Sequence, residues 1–122
     1  MNVKSILIWS SVFILGTQMA CKHDLQYDVC YQTQVQPILK SNCAMSGCHD
    51  AITAEKDIRL DTYENVIKEV KAGSPNSSEL YTVIKSPFGS MPPSSKAQLT
   101  PGQIEIIRSW IAQGAKNDPT CQ

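Results

Sequence analysis

The segment Cys43-Ala44-Met45-Ser46-Gly47-Cys48-His49 constrains this chain more than any other stretch. Two thiols are separated by four residues, and an imidazole follows the second directly. On an ideal helix, positions five apart point roughly 140° away from each other, so both sulfurs can serve one partner only if the residues between them bulge. Gly47 can adopt the positive φ that a bulge requires, and Ser46 can hydrogen-bond locally. A zinc site would need four Cys or His ligands, and the only other histidine, His23, stands in a polar, aperiodic stretch that reads as solvated linker. A Cys43–Cys48 disulfide is a second use of the segment, and it would leave His49 as an ordinary surface histidine.

A third use is covalent attachment of one haem c. Two thiols add to its two vinyl groups, and a histidine placed directly after the second cysteine binds the iron from the same side. The usual attachment spacing leaves two residues between the cysteines, whereas this chain has four. Met91 separates the readings. It lies in a loop expected over Ser86 to Ala97, rich in proline and serine, where Pro92 and Pro93 restrict the backbone after it. A methionine thioether opposite a histidine is the axial pairing that raises a haem's reduction potential. Met45 falls inside the attachment loop, on the His49 side. The cysteines alone leave haem and disulfide open, and a haem sensor in which Met91 does not bind iron is a further alternative.

The 122 residues suffice for one compact domain. Eleven basic and eleven acidic side chains balance, so nothing suggests nucleic acid as a partner. Residues 1–20 carry Lys4 and an apolar run from Ile6 to Leu15, the pattern of a secretory signal too short to span a bilayer as a finished helix. Ala20-Cys21 resembles the lipobox of bacterial lipoproteins, although Gln18 stands where that family usually has an aliphatic residue. The resemblance implies a lipid anchor on Cys21, a tether over 21–29 and a domain over 30–122. It places the protein in the cell envelope, exported to the periplasm or outer membrane, where disulfides persist. Cys30 and Cys121 then bracket the domain. A bridge between them closes a loop of about ninety residues and stabilises by about 4 to 5 kcal/mol in the chain-entropy model.

Hydrophobic periodicity predicts helices only. Thr33 and Gln36 make a capping-box pattern ahead of Val35, Ile38 and Leu39, with Pro37 in the first turn. Asp50 to Arg59 reads as irregular. Asp61 and Glu64 repeat the box before Tyr63, Val66, Ile67 and Val70, and Gly73 closes that helix. A further helix is expected from about Ser77 to Lys85. Thr100-Pro101-Gly102-Gln103 opens the last one, with Ile104, Ile107, Trp110 and Ile111 on its apolar face and Gly114 at its end. The expected architecture is all-α, with three to five short helices and one long Met-bearing loop.

This order of elements resembles the class I cytochrome c fold. The stretches SNCAMSGCHD, RLDTYENVIK, GSPNSSELY, SMPPS and LTPGQIEIIRSWIAQGAK are similar to the planctomycete-type cytochrome c domains, over about Cys30 to Lys116. The resemblance implies that Cys43 and Cys48 carry the thioethers, with His49 the proximal and Met91 the distal iron ligand. It also implies that Val35, Ile38 and Leu39 face Ile107, Trp110 and Ile111. Arg59 and Tyr63 are then either neighbours of the haem or, respectively, an exposed cation and a core aromatic. A domain of this kind is an electron carrier rather than an enzyme, and its partners are redox proteins of the cell envelope.

Overall fold

The computed structural model describes residues 27–85 and 89–121. The expected signal segment, Cys21 and His23 lie outside the described residues. Regular structure among the described residues is helical throughout, as the periodicity predicts. A wide π-type turn over Tyr31–Val35 runs into α1 (Gln36–Asn42). Then come α2 (Tyr63–Val66), extended by a 3-10 turn over Ile67–Glu69, α3 (Glu79–Ile84) and α4 (Pro101–Ala112). No helix among the described residues is long and apolar enough to cross a membrane.

The last helix starts where its cap dictates. Thr100 Oγ1 accepts from Gln103 N at 3.2 Å, and Gln103 Oε1 accepts from Thr100 N at 2.9 Å, so both halves of the capping box form. The first helix departs from expectation. It begins at Tyr31, and the Thr33–Gln36 box is not used. Gln34 instead returns its carboxamide oxygen to Cys30 N at 2.8 Å, satisfying an end donor four residues upstream. Pro37 thus sits beyond the first turn, directly after the wide turn. A wide turn there eases the clash that a helix-interior proline makes with the carbonyl four residues back.

Two other boundaries also move. Thr62, not Asp61, caps α2, while Asp61 accepts from the Asn65 side chain at 3.0 Å. That helix ends at Val70 in extended backbone rather than at Gly73, which donates its N–H to Ile111 O at 2.7 Å and so ties the following turn to α4. Around α3, Ser78 caps in place of the expected Ser77 start. The buried Ser78 hydroxyl accepts from Lys71 N at 2.9 Å and reaches Ser74 O at 3.0 Å, closing the turn before the helix.

Packing centres on α4. It lies against the Tyr31–Val35 turn and against α3. Val35, Leu39, Ile107 and Ile111 are fully buried together, with Val66, Leu80 and Ile84 in the same cluster. Tyr31 stacks between Tyr63 and Trp110, with ring centroids 5.1 and 5.3 Å away. Tyr63 donates to Ala115 O at 2.9 Å and Trp110 Nε1 to Lys116 O at 2.9 Å. Tyr63 is therefore a core aromatic. A disulfide joins Cys30 to Cys121 with their Cα atoms 5.6 Å apart, as the bracketing positions suggest.

Candidate functional site

The segment from Cys43 to His49 leaves the C-terminal end of α1 as a tight bulge. Cys43 is the last capped position, its N–H bonded to Leu39 O at 2.8 Å. Gly47 takes φ +83°, the conformation that the spacing required of it. The bulge closes on itself: Cys48 N donates to Met45 O at 3.0 Å, and His49 N donates to Cys43 O at 3.1 Å. Thr53 Oγ1 accepts from Gly47 N at 3.1 Å, and Asp50 Oδ1 accepts from Thr53 N at 2.5 Å, so the following loop braces the bulge from outside. The Thr53 N–H first, then the Thr53 hydroxyl and the N–H groups of Ile52 and Ala54, hold the Asp50 carboxyl below the usual carboxylate range.

Both cysteines of the bulge are free thiols, Cys43 buried and Cys48 half-buried. The Cys43–Cys48 disulfide is therefore not the pairing observed. Burial first, then the neighbouring Cys48 thiol, pushes Cys43 up from 9.0 to about 11. It stays protonated at neutral pH. Among the described residues, no group of three or more His, Cys, Asp and Glu side chains is placed to hold a metal ion.

His49 is buried, at 8% exposure. Its Nδ1 lies 3.1 Å from Ile58 O. A carbonyl oxygen only accepts, so Nδ1 carries the proton and Nε2 carries the lone pair. The ring cannot turn without losing that bond, and Leu60 N donates to His49 O at 2.9 Å to hold the backbone as well. Ile58 contributes through its main chain, so no side-chain signal marks it.

Cys43, Cys48, His49 and Met91 line one cleft of about 250 Å³. The structure thus brings together all four expected site residues, which come from two segments more than forty residues apart in sequence. Leu60, Leu80, Val83 and Ile84 supply apolar wall. Met91 is half-buried against this core, its N–H donating to Val83 O at 3.2 Å, and the Met91–Pro92 peptide bond is cis. Met45 lines the cleft too. Arg59 is exposed and outside the cleft wall; the cations there are Lys56 and Lys96.

Comparison with known proteins gave one family match: the model described as Planctomycete cytochrome C matches residues 46–95. The match includes Cys48, His49 and Met91, and it starts after Cys43. No curated protein and no solved structure matched. The resemblance carried by the attachment and Met-Pro-Pro segments is thus found again by an independent route: residues 46–95 are similar to a planctomycete-type cytochrome c domain.

Proposed function

We propose that this protein is an exported electron carrier holding one haem c through Cys43 and Cys48, with His49 and Met91 as iron ligands. The observation that carries this reading is the His49–Ile58 hydrogen bond. It sets the tautomer that leaves Nε2 as the donor nitrogen, on a ring lining a mostly apolar cleft. The donor set fits the group. Two free thiols, a buried imidazole and a thioether share one cleft with largely hydrocarbon walls, whose charged lining is Lys56 and Lys96, able to meet propionates, with Glu55, Glu69 and Glu79. A thiol adds across a vinyl double bond together with its own hydrogen, so attachment needs no oxidant. Bound haem would supply a one-electron couple.

The chain's own residues then do the rest. The Gly47 bulge lets two thiols with a long spacing reach one partner. Leu60, Leu80, Val83 and Ile84 exclude water from the cleft and favour the less charged redox state. Were His49 and Met91 both to hold the iron, no position would stay open for a substrate, which would suit electron transfer rather than catalysis. Residues 1–20 and Cys21 support export and lipid anchoring in the cell envelope, where brief encounters with redox proteins would follow.

The absorption spectrum of protein matured in a host with haem c assembly tests this. Sharp reduced α and Soret bands that survive acid–acetone extraction are expected. Met91→Ala should turn the reduced spectrum high-spin and lower the potential, while Met45→Ala should leave both unchanged. A colourless protein would sink the reading, and a Met91→Ala spectrum identical to the parent would remove Met91 as ligand.

A further inference from the structure

Pro92 and Pro93 give the Met-bearing loop its stiffness, but they also deprive it of two N–H donors. Among its described residues the loop keeps few backbone bonds of its own. Met91 N reaches Val83 O at 3.2 Å on one side, and Lys96 N closes a turn on Pro93 O at 2.8 Å on the other. Among the described residues Pro92 O meets no backbone donor, and Pro93 O meets only that of Lys96. Gln98 fills that gap. Its Nε2 lies 3.2 Å from Pro92 O, 3.1 Å from Pro93 O and 3.0 Å from Lys96 O. An amide nitrogen has two hydrogens, so three carbonyls share two donors.

The place of Gln98 in the chain matters as much as its bonds. Leu99 after it is buried, and Thr100 is the cap of α4 with both halves of its box formed. The clamp is therefore anchored on the firmly capped start of α4, the helix at the centre of the packing. Pro92 and Pro93 line the cleft beside Met91.

We propose that Gln98 is a positioning residue for the distal ligand: its carboxamide holds the Met-Pro-Pro segment so that the Met91 thioether stays at the cleft. This rests on the electron-carrier reading above. Imidazole added to the haem-loaded protein takes the distal position only when the methionine has left, so its apparent affinity reports how often the loop lets go. Losing the clamp should raise that affinity about tenfold in Gln98→Ala, the scale of one or two net hydrogen bonds. Gln98→Glu keeps the shape and faces a carboxylate with carbonyl oxygens, so it should exceed the alanine variant. Gln98→Lys offers N–H donors again and should fall back toward the parent. Hydrogen exchange on the same loaded protein should quicken at the Met91 amide and stay unchanged within α4.

Parental imidazole affinity in Gln98→Glu would overturn the proposal while leaving the haem reading intact. Exchange quickened equally in the loop and in α4 would also overturn it, because Gln98 would then serve general stability. A parent protein that carries no haem overturns both, and its spectrum tells that failure from the others.

Discussion

Removing the Cys30–Cys121 bridge should cost this domain stability without touching its redox site. The two cysteines are 91 positions apart. In the chain-entropy model a closed loop of that size stabilises by about 4.6 kcal/mol, through restriction of the unfolded chain. Small domains have only about 5 to 15 kcal/mol in total. Neither cysteine lines the cleft that holds His49 and Met91. The double variant Cys30→Ala/Cys121→Ala, followed by urea unfolding, separates the two effects. With a slope of about 1.5 kcal/mol per molar, the midpoint should fall by about 3 M, while the visible spectrum below the transition stays that of the parent. A midpoint shift under about 0.5 M would refute the reasoning. It would mean that the unfolded chain already keeps its ends together, so that closing the loop restricts it little.

Two further outcomes test other parts of the structure. The buried Tyr31 hydroxyl has no hydrogen-bond partner among the described residues, so Tyr31→Phe should leave stability unchanged or raise it by about 1 kcal/mol, read from chemical denaturation. Burial first, then Glu64, Tyr63 and Asp61, pushes that phenol up from 10.0 to about 12. A raised acid stabilises the fold below its unfolded value, so parental stability should decline between pH 10.0 and about pH 12, and Tyr31→Phe should flatten the decline. Gly47→Ala meets no atom within 4 Å, so its cost is conformational alone, about 1 to 2 kcal/mol, with a lower melting temperature and an unchanged reduced spectrum.

Local chemistry made part of this molecule readable in advance. Thr100, Pro101 and Gln103 specify the start of α4 by short-range bonds that nothing distant can easily override. The Gly47 bulge was equally legible, since the separation of Cys43 and Cys48 admits few backbones. Boundaries set by competition were not. Asp61 and Thr62 are both good caps, and the choice between them depends on which register buries Leu60 and Val66. Thr33 lost its role because Gln34 reached Cys30 first, and a glutamine in the first turn carries no visible sign that it will fold back. The partner of His49 could not be read at all. Every residue has a carbonyl, and only the loop over 50–57, with Ala54, Lys56 and Asp57 at positive φ, brings that of Ile58 beside the ring. The cations at the cleft stayed open for the same reason, because the loop's course decides that Lys56 faces it and Arg59 does not.

The meeting of Cys30 and Cys121 has a consequence beyond stability. With Cα atoms 5.6 Å apart, the chain enters and leaves the domain at nearly one point. Gln113 marks the same corner, its side chain holding Val29 N at 2.8 Å and Tyr27 O at 3.0 Å. A unit with coincident entry and exit behaves as a bead on a string. It can be spliced into a surface loop of another protein without forcing the host's ends apart. It can also be strung beside other domains with its cleft left free, since the residues at the junction take no part in the cleft wall.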